Sequence, residues 1–407
     1  MIKRFKVSNF KSIIDIDLNF DYGERCPNKS QIPENTILYH QQRANNKLNR
    51  IIPIASFFGA NASGKTNIVD AIFEFKKLIT KDLEYCQYNP YRLKPMNDNF
   101  TTFELELLVG KKDCIYTINY NQEEIIGEKF VVNGKLIFEA INGKISQQEL
   151  KKQFENSCMK DTKQNIPFLR ILAKNYQNQI KEATSFFDFV CNKIEIFYTN
   201  KFPNYISIDA GGFNEIIDLL KRLDLNIQKA EYQRFPEINT EQIFDGHLKF
   251  GFRGRRDDEV KTYHKDTNGE LRKFDLEEES LGTRILFSLL GFWLKALKEG
   301  QIVFFDELER SLHPLLLKAL ISMFKNKQYN KNNAQLIFTT HCIDMLEYDG
   351  TNLYTGLRKT DIFIVDNKLT QGTSIKRLNE FQDVRNVNDF RKKYLDNYYG
   401  GIPHCFL

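Results

Sequence analysis

The chain opens with an alternation of apolar and polar residues, IKRFKVSNF and then IIDIDLNF, which predicts a pair of strands over residues 1 to about 20. Residues 22–50 are polar and rich in Asn, Gln and Pro, the texture of a surface loop or short excursion. Ile51 to Phe58 reads as a short apolar strand, and Asn67 to Ile79 carries helical spacing at Ile68, Ile72 and Phe75. From Phe103 the period shifts toward two, through FELELLV, CIYTINY and KFVVNGKLIFEAINGK. Asn-Gly pairs at 133–134 and 142–143 mark hairpin turns, so this stretch predicts an antiparallel sheet. Residues 146 to about 190 look helical, Glu215 to Leu223 forms another helix, and 247–276 read as a hairpin.

The texture then changes. Helices are predicted over Ser280–Lys298 and Pro314–Phe324, and buried-type strands over Gln301–Phe305 and Gln335–Thr340. Apolar strands separated by helices imply a parallel βα sheet. The expected fold class is α/β, a mixed and parallel sheet with flanking helices, interrupted by an α+β insertion between roughly residues 80 and 240. The expected division is 1–80, the insertion at 81–240, a second core part at 241–360 and a C-terminal segment at 361–407. There is no internal repeat and no long heptad run.

Composition narrows the class. At 407 residues with 42% hydrophobic and 27% charged positions, the chain has the balance of a soluble globular protein with room for two or three domains. A formal charge of +5 permits a local basic face but makes no chain-wide case for nucleic acid. The seven cysteines are scattered and form no CxxC pair, which fits reduced thiols and a cytoplasmic setting. The N-terminus lacks the apolar run of a signal peptide, and no stretch is long and apolar enough to predict a membrane span.

Four motifs carry chemistry. Gly59-Ala-Asn61-Ala62-Ser63-Gly64-Lys65-Thr66 matches G-x4-G-K-[ST] between a strand and a helix. Its backbone N–H groups and the helix start behind them, with Asn67 in the first turn, suit a phosphate-sized anion. Lys65 is expected to reach the β and γ phosphates of ATP, and the Thr66 hydroxyl to bind Mg2+. The second motif, QIVFFDELER at 301–310, delivers two acids at the end of a buried strand. Asp306 is the expected Mg2+ carboxylate, acting through water, and Glu307 the general base. In the third, QLIFTTHCIDML, His341 follows another apolar strand and could contact the γ-phosphate or the attacking water. The fourth is EEESLGTRILFSLL, where Ser280 and Gly282 open a helix that could close the far side of a nucleotide from a partner chain. Taken without the other motifs, Ser280 is better read as a plain helix N-cap.

In this order and spacing the four motifs resemble the ABC-type ATPase heads of the structural-maintenance-of-chromosomes, recombination-protein-F and overcoming-lysogenisation-defect superfamily. Val7 to Ser12, VSNFKS, resembles the first strand of those heads; SLGT at 280–283 stands where they carry a signature motif, and DELERSLHP at 306–314 where they carry the acidic strand and D-loop. The resemblance covers about 1–80 and 240–360. It implies a homodimer, or higher homo-oligomer, in which two heads sandwich ATP and each site is completed by Ser280 and Gly282 of the other chain. The family's Q-loop glutamine has no clear counterpart, Gln87 being a poor match. The end of the chain, RKKYLDNYYGGIPHCFL, is similar to the tail of the compact phage-defence ATPases of the AbiLi, RloA and AriA group, through Tyr394, Leu395, Tyr398, Tyr399, Gly400, Gly401 and Pro403. That similarity implies one half of a two-gene system whose other half is a toprim-type nuclease or related effector.

The gap between phosphate loop and signature is too short for long coiled-coil arms. The residues after His341 are too few for a fused toprim domain, and Asp361, Asp366 and Asp383 are scattered. Arg253, Arg255, Arg256, Lys261 and Lys265 could grip DNA phosphates, but Asp257, Asp258 and Glu259 largely cancel them, so a solvated hairpin tip fits better. The expected function is an ATP-hydrolysing regulatory subunit of an anti-phage abortive-infection system, a scaffold gating a separate effector. The alternative is a DNA-repair or recombination ATPase that binds DNA directly. A transporter ATPase subunit is a third and weaker option.

Overall fold

A computed structural model describes residues 1–24, 32–93, 99–146, 165–198, 212–223, 227–233, 259–310, 312–347, 356–368, 372–382 and 390–403. The chain begins with β1 (Ile2–Phe10) and β2 (Ile13–Asn19), whose alternate residues are buried as the alternation predicts. The polar stretch that follows holds a small hairpin, β3 (His40–Ala44) and β4 (Lys47–Ile51). The wholly buried β5 (Ile54–Phe58) leads through the phosphate loop into α1 (Lys65–Thr80).

Next come β6 (Thr101–Val109), β7 (Lys112–Tyr120), β8 (Ile125–Val132), β9 (Lys135–Ile141) and the short β10 (Lys144–Ile145). The two Asn-Gly pairs make the predicted turns: Asn133, Gly134, Asn142 and Gly143 all have positive φ, the conformation a two-residue type I′ turn requires. Two helices, α2 (Phe168–Asn175) and α3 (Lys181–Lys193), run into β11 (Ile194–Tyr198), a strand that no turn signal announces. The rest of the chain contributes α4 (Phe213–Arg222), β12 (Lys229–Gln233), β13 (Glu259–Lys265), β14 (Leu271–Asp275), α5 (Leu281–Glu299), β15 (Ile302–Asp306), α6 (Pro314–Phe324), β16 (Gln335–Thr340), β17 (Ile362–Lys368), β18 (Gly372–Arg377) and α7 (Phe390–Leu395).

The fold is α/β, with two large sheets among the described residues, one antiparallel and one largely parallel, beside a three-stranded antiparallel sheet β12-β13-β14 and the β3–β4 hairpin. The antiparallel sheet has seven strands in the order β10-β9-β8-β7-β6-β1-β2. The other has six, β11-β15-β16-β5-β17-β18, parallel except for the β17–β18 hairpin. The stretch expected as an insertion therefore shares strands with both sheets. β6 pairs with β1 from Ile2↔Leu107 to Ser8↔Thr102, and β11 forms the edge beside β15. Such pairings between distant segments leave no local mark in the sequence.

One core fills the space between the two large sheets and embeds α1, α2 and α3, with Phe5, Phe75 and Phe103 in mutual ring contact and Tyr116 against Phe75. The second core covers the opposite face of the parallel sheet with α4, α5 and α6, around Trp293, Phe305 and Phe324. Each face of the parallel sheet is thus covered, so β5, β15 and β16 are buried at every position.

Candidate nucleotide site

β5, β15 and β16 are neighbours and run the same way, so their carboxyl ends share one edge of the sheet. Ligands of open α/β sheets bind at that edge. Here the strand ends release, in turn, the loop Gly59–Gly64, the acids Asp306 and Glu307, and His341.

The loop has the backbone of an anion cradle. Ala62 has φ 61° and Gly64 φ 101°, the left-handed backbone that recurs in anion-binding loops. The first N–H groups of α1 have no carbonyl ahead of them in the helix. Gly59 and Gly64 must be glycine for lack of space: a Cβ on Gly59 would strike the Val365 carbonyl, and one on Gly64 the Thr373 hydroxyl. The Ser63 hydroxyl is buried inside the loop with no hydrogen-bond partner. Lys65 Nζ donates to the carbonyls of Gly59 and Ala60, each at 2.8 Å. Burial pulls its pKa down to about 8, against the opposing pull of Glu309, Asp306 and Glu307. A cation held on carbonyls, a spare hydroxyl and free helix N–H groups form a set that a polyphosphate would satisfy.

Thr66 and Asp306 meet. Thr66 Oγ1 donates to Asp306 Oδ2 at 3.1 Å and lies 3.3 Å from Oδ1. Thr339 Oγ1 donates to Asp306 Oδ1 at 2.7 Å, and also accepts the Glu307 N–H at 2.8 Å. Burial raises the pKa of Asp306, and the neighbouring Glu307 and Asp70 raise it further. A hydroxyl beside a carboxylate destabilised by burial and adjacent acids is a donor set suited to Mg2+, whose charge would relieve the repulsion. Glu307 has φ 55°, an unfavourable conformation for a non-glycine residue and one that collects at functional sites.

His341 is exposed on one side. The protein packed around it lowers its pKa, and the Lys65 charge lowers it further, which favours the neutral ring. Its backbone N–H donates to Glu309 Oε1 at 2.6 Å, while Glu309 Oε2 is buried without a partner.

The sequence reading missed several of these groups. Glu309 is the third acid of DELE, and nothing local marks it. Ser12 comes from the β1–β2 turn: its Oγ accepts from Asn67 Nδ2 at 2.6 Å and shares a hydrogen with Thr373 Oγ1 at 2.6 Å. Asn367 Nδ2 donates to the Ala62 carbonyl at 3.2 Å. The loop is thus braced from outside by the N-terminal strand pair and by the β17–β18 hairpin. Tyr198, at the end of β11, donates to Asp70 at 2.6 Å, and Lys11 pairs with the same carboxylate at 2.6 Å.

Ser280 and Gly282 open α5. Ser280 caps it by accepting the Thr283 N–H at 3.1 Å, and its hydrogen bonds among the described residues stay within that helix. The preceding Glu279 is held by Thr262 and by His264 Nε2, the latter at 2.7 Å, which fixes the helix start on β13. Ser280 is exposed, and Leu281 beside it is 54% exposed. Gln87 gives its N–H to Glu74 and its carbonyl accepts Tyr120 Oη, an environment apart from the carboxyl edge of the parallel sheet. Arg253, Arg255 and Arg256 lie outside the described residues, and Lys261 is paired with Asp275 at 2.6 Å. No helix among the described residues is long and apolar enough to cross a membrane.

Residues 163–342 match the family model described as "AAA domain, putative AbiEii toxin, Type IV TA system". The match takes in Ser280, Gly282, Asp306, Glu307 and His341, but starts after the loop Gly59–Gly64. No curated protein matches the chain. Among solved structures, the SMC head domain from Thermotoga maritima is 14% identical with a TM-score of 0.43, covering 92% of this chain and 98% of that one. An SMC head bound to the C-winged helix domain of ScpA is 14% identical with a TM-score of 0.41, covering 92% and 96%. A Pyrococcus furiosus Smc head bound to the C-terminal domain of ScpA is 12% identical with a TM-score of 0.39, covering 98% and 99%. At these values the three structures add nothing to what strand order and site geometry define.

Proposed function

We propose that this chain is an ATP-binding and ATP-hydrolysing switch subunit of an anti-phage abortive-infection system, one that controls a separate toprim-type nuclease or toxin. The observation that carries the ATPase part is the convergence of Lys65, Thr66, Asp306, Glu307 and His341 at the carboxyl ends of three adjacent parallel strands. In this reading Lys65 leaves its loop carbonyls for the β and γ phosphates, and Thr66 and Asp306 hold Mg2+, Asp306 through water. The metal would supply charge neutralisation on the phosphates. Glu307 orients and deprotonates the attacking water, and the neutral His341 ring bonds the water or the γ-phosphate edge.

A single chain closes only one side of such a nucleotide. The exposed Ser280, with Gly282 and the exposed Leu281 at the start of α5, suits the other side of a partner's site, giving a dimer or higher oligomer of heads. The switch then follows from differential binding: ATP favours the closed pair, and hydrolysis releases it. In this reading residues 1–80 and 241–360 carry the head's motifs, 81–240 complete its sheets, and 361–407 brace the phosphate loop.

The phage-defence part draws on the tail's similarity to the AbiLi, RloA and AriA group and on the AbiEii-type family that residues 163–342 match. Its test is the native mass of the complex recovered when this chain is co-expressed with its flanking genes. A stable assembly with a second protein, released or remodelled on ATP hydrolysis, is the expected result. A lone ATP-dependent dimer whose turnover rises with duplex DNA would overturn it in favour of the DNA-repair reading.

A further inference from the structure

The tail motif that the sequence singled out has no role in the chemistry above, yet it touches the phosphate loop. Tyr394, buried on α7, donates its hydroxyl to the Gly401 carbonyl at 2.7 Å. That bond closes a turn whose two glycines have φ 77° and 74°. The turn lies on β17 and on the first residue of the loop. A Cβ on Gly401 would stand 3.0 Å from both the Val365 carbonyl and Ile364 Cγ2, and 3.6 Å from the Gly59 Cα. Gly400 sits against the Asp366 carboxylate, at 3.3 Å by the same measure. The other end of the segment is anchored by Arg391, paired with Asp344 at 3.1 Å in the turn after His341, and Tyr399, directly before the glycines, meets the Phe381 ring edge-on at 5.1 Å.

We propose that Tyr394 and the Gly400–Gly401 turn are positioning residues for the phosphate loop, an inference that rests on the nucleotide-binding reading of that loop. The route is short. Tyr394 fixes Gly401, Gly401 backs Gly59, and the Gly59 carbonyl holds Lys65 Nζ at 2.8 Å. The tail fills the space behind Gly59, so the peptide that positions Lys65 cannot rotate or retreat. The cradle is then pre-shaped for phosphate before any ligand arrives, which lowers the ordering cost of binding. The consecutive left-handed glycines have a reason in this arrangement: residues without a Cβ take these φ values without strain and let the turn lie close against β17.

The test uses the full chain and a fluorescent ATP analogue with Mg2+, with melting temperature measured in parallel. Tyr394→Phe removes one hydroxyl and leaves the ring, and is expected to weaken analogue binding by about three- to tenfold. Gly401→Ala is expected to weaken it further, because its Cβ would press on Val365 and Ile364 of β17 at 3.0 Å and shift the turn that backs Gly59. Leu395→Ala, on the exposed side of the same segment, is expected to bind as wild type. A positioning role lowers affinity more than the fall in melting temperature accounts for. If Tyr394→Phe melts earlier yet binds the analogue as wild type, the tail is mere packing and the proposal is overturned. If Gly401→Ala does not fold, Tyr394→Phe decides. If the wild-type chain binds no analogue, the nucleotide reading itself fails and this inference falls with it.

Discussion

Thr66 Oγ1 lies 3.1 Å from Asp306 Oδ2, joining the first turn of α1 to the end of β15 across 240 positions of sequence. The hydroxyl only partly offsets the cost of burying Asp306 near Glu307 and Asp70, and its pKa stays raised. Asp306→Asn should therefore melt no lower than wild type in the free protein, since it removes a destabilised charge and keeps an acceptor for Thr339. It should also lose the extra stabilisation that Mg2+ and ATP together give. Melting temperature with and without Mg2+ and ATP checks both halves.

The phosphate loop and Asp306-Glu307 were legible because each is a contiguous string with a strand beside it. That Thr66 and Asp306 belong together followed from motif type, and their side chains do meet at 3.1 Å. Glu309, Ser12, Thr373 and Asn367 were not legible, because strand pairings far apart in sequence bring them to the loop. The antiparallel strands were read correctly as strands, but nothing in FELELLV shows that its partner is IKRFKVSNF. β11 was missed because α3 passes into it at Lys193–Ile194 without a turn residue.

Lys65→Ala should abolish nucleotide binding. The wild-type lysine makes a sharper prediction. Burial lowers its pKa to about 8 in the free protein, so above that pH it is increasingly neutral and binding a polyphosphate must take up a proton. Affinity for ATP should be flat below about pH 7 and fall by up to about tenfold per unit above about pH 8. A titration series from about pH 6 to about pH 9 measures this. A flat profile would mean that Lys65 does not carry the phosphate contact.

Glu307→Gln should keep the backbone at φ 55° and the N–H bond to Thr339 while removing the base. Turnover is expected to fall by about 10²–10⁴-fold with nucleotide binding intact. With ATP present the variant should accumulate as the closed dimer, seen as a mass increase in solution. If it stays as monomeric with ATP as without, the two-head arrangement is wrong.

Asp361, one of the scattered C-terminal acids, is fully buried against Lys325 at 2.7 Å and Arg358 at 3.2 Å. Burial alone would raise its pKa, but Arg358 and then Lys325 outweigh it and hold the carboxyl at about 2. A depressed carboxylate stabilises the fold above its unfolded value of about 3.9, and that contribution is lost as pH falls toward 2. Asp361→Ala leaves two buried cations unpaired and should cost about 3–5 kcal/mol in denaturant unfolding. The loss should shrink in acid, where the wild-type carboxyl is itself protonated.

Ser280 separates a site made within one chain from a site shared between two. Ser280→Arg costs the single chain a helix cap, about 1 kcal/mol, which leaves the fold standing. If Ser280 serves only its own helix, ATP turnover should survive the change. If it closes a partner's site, the homogeneous variant should bind ATP normally and hydrolyse none, because every site meets an arginine across the dimer. Lys65→Ala should also be inactive, through its own loop. A mixture of the two inactive variants should recover activity: in each mixed pair the Ser280→Arg chain supplies an intact Lys65 and the Lys65→Ala chain an intact Ser280. Rates measured across mixing ratios should peak near equal amounts. A mixture as inactive as its components would mean that Ser280 does not act across the boundary between two chains.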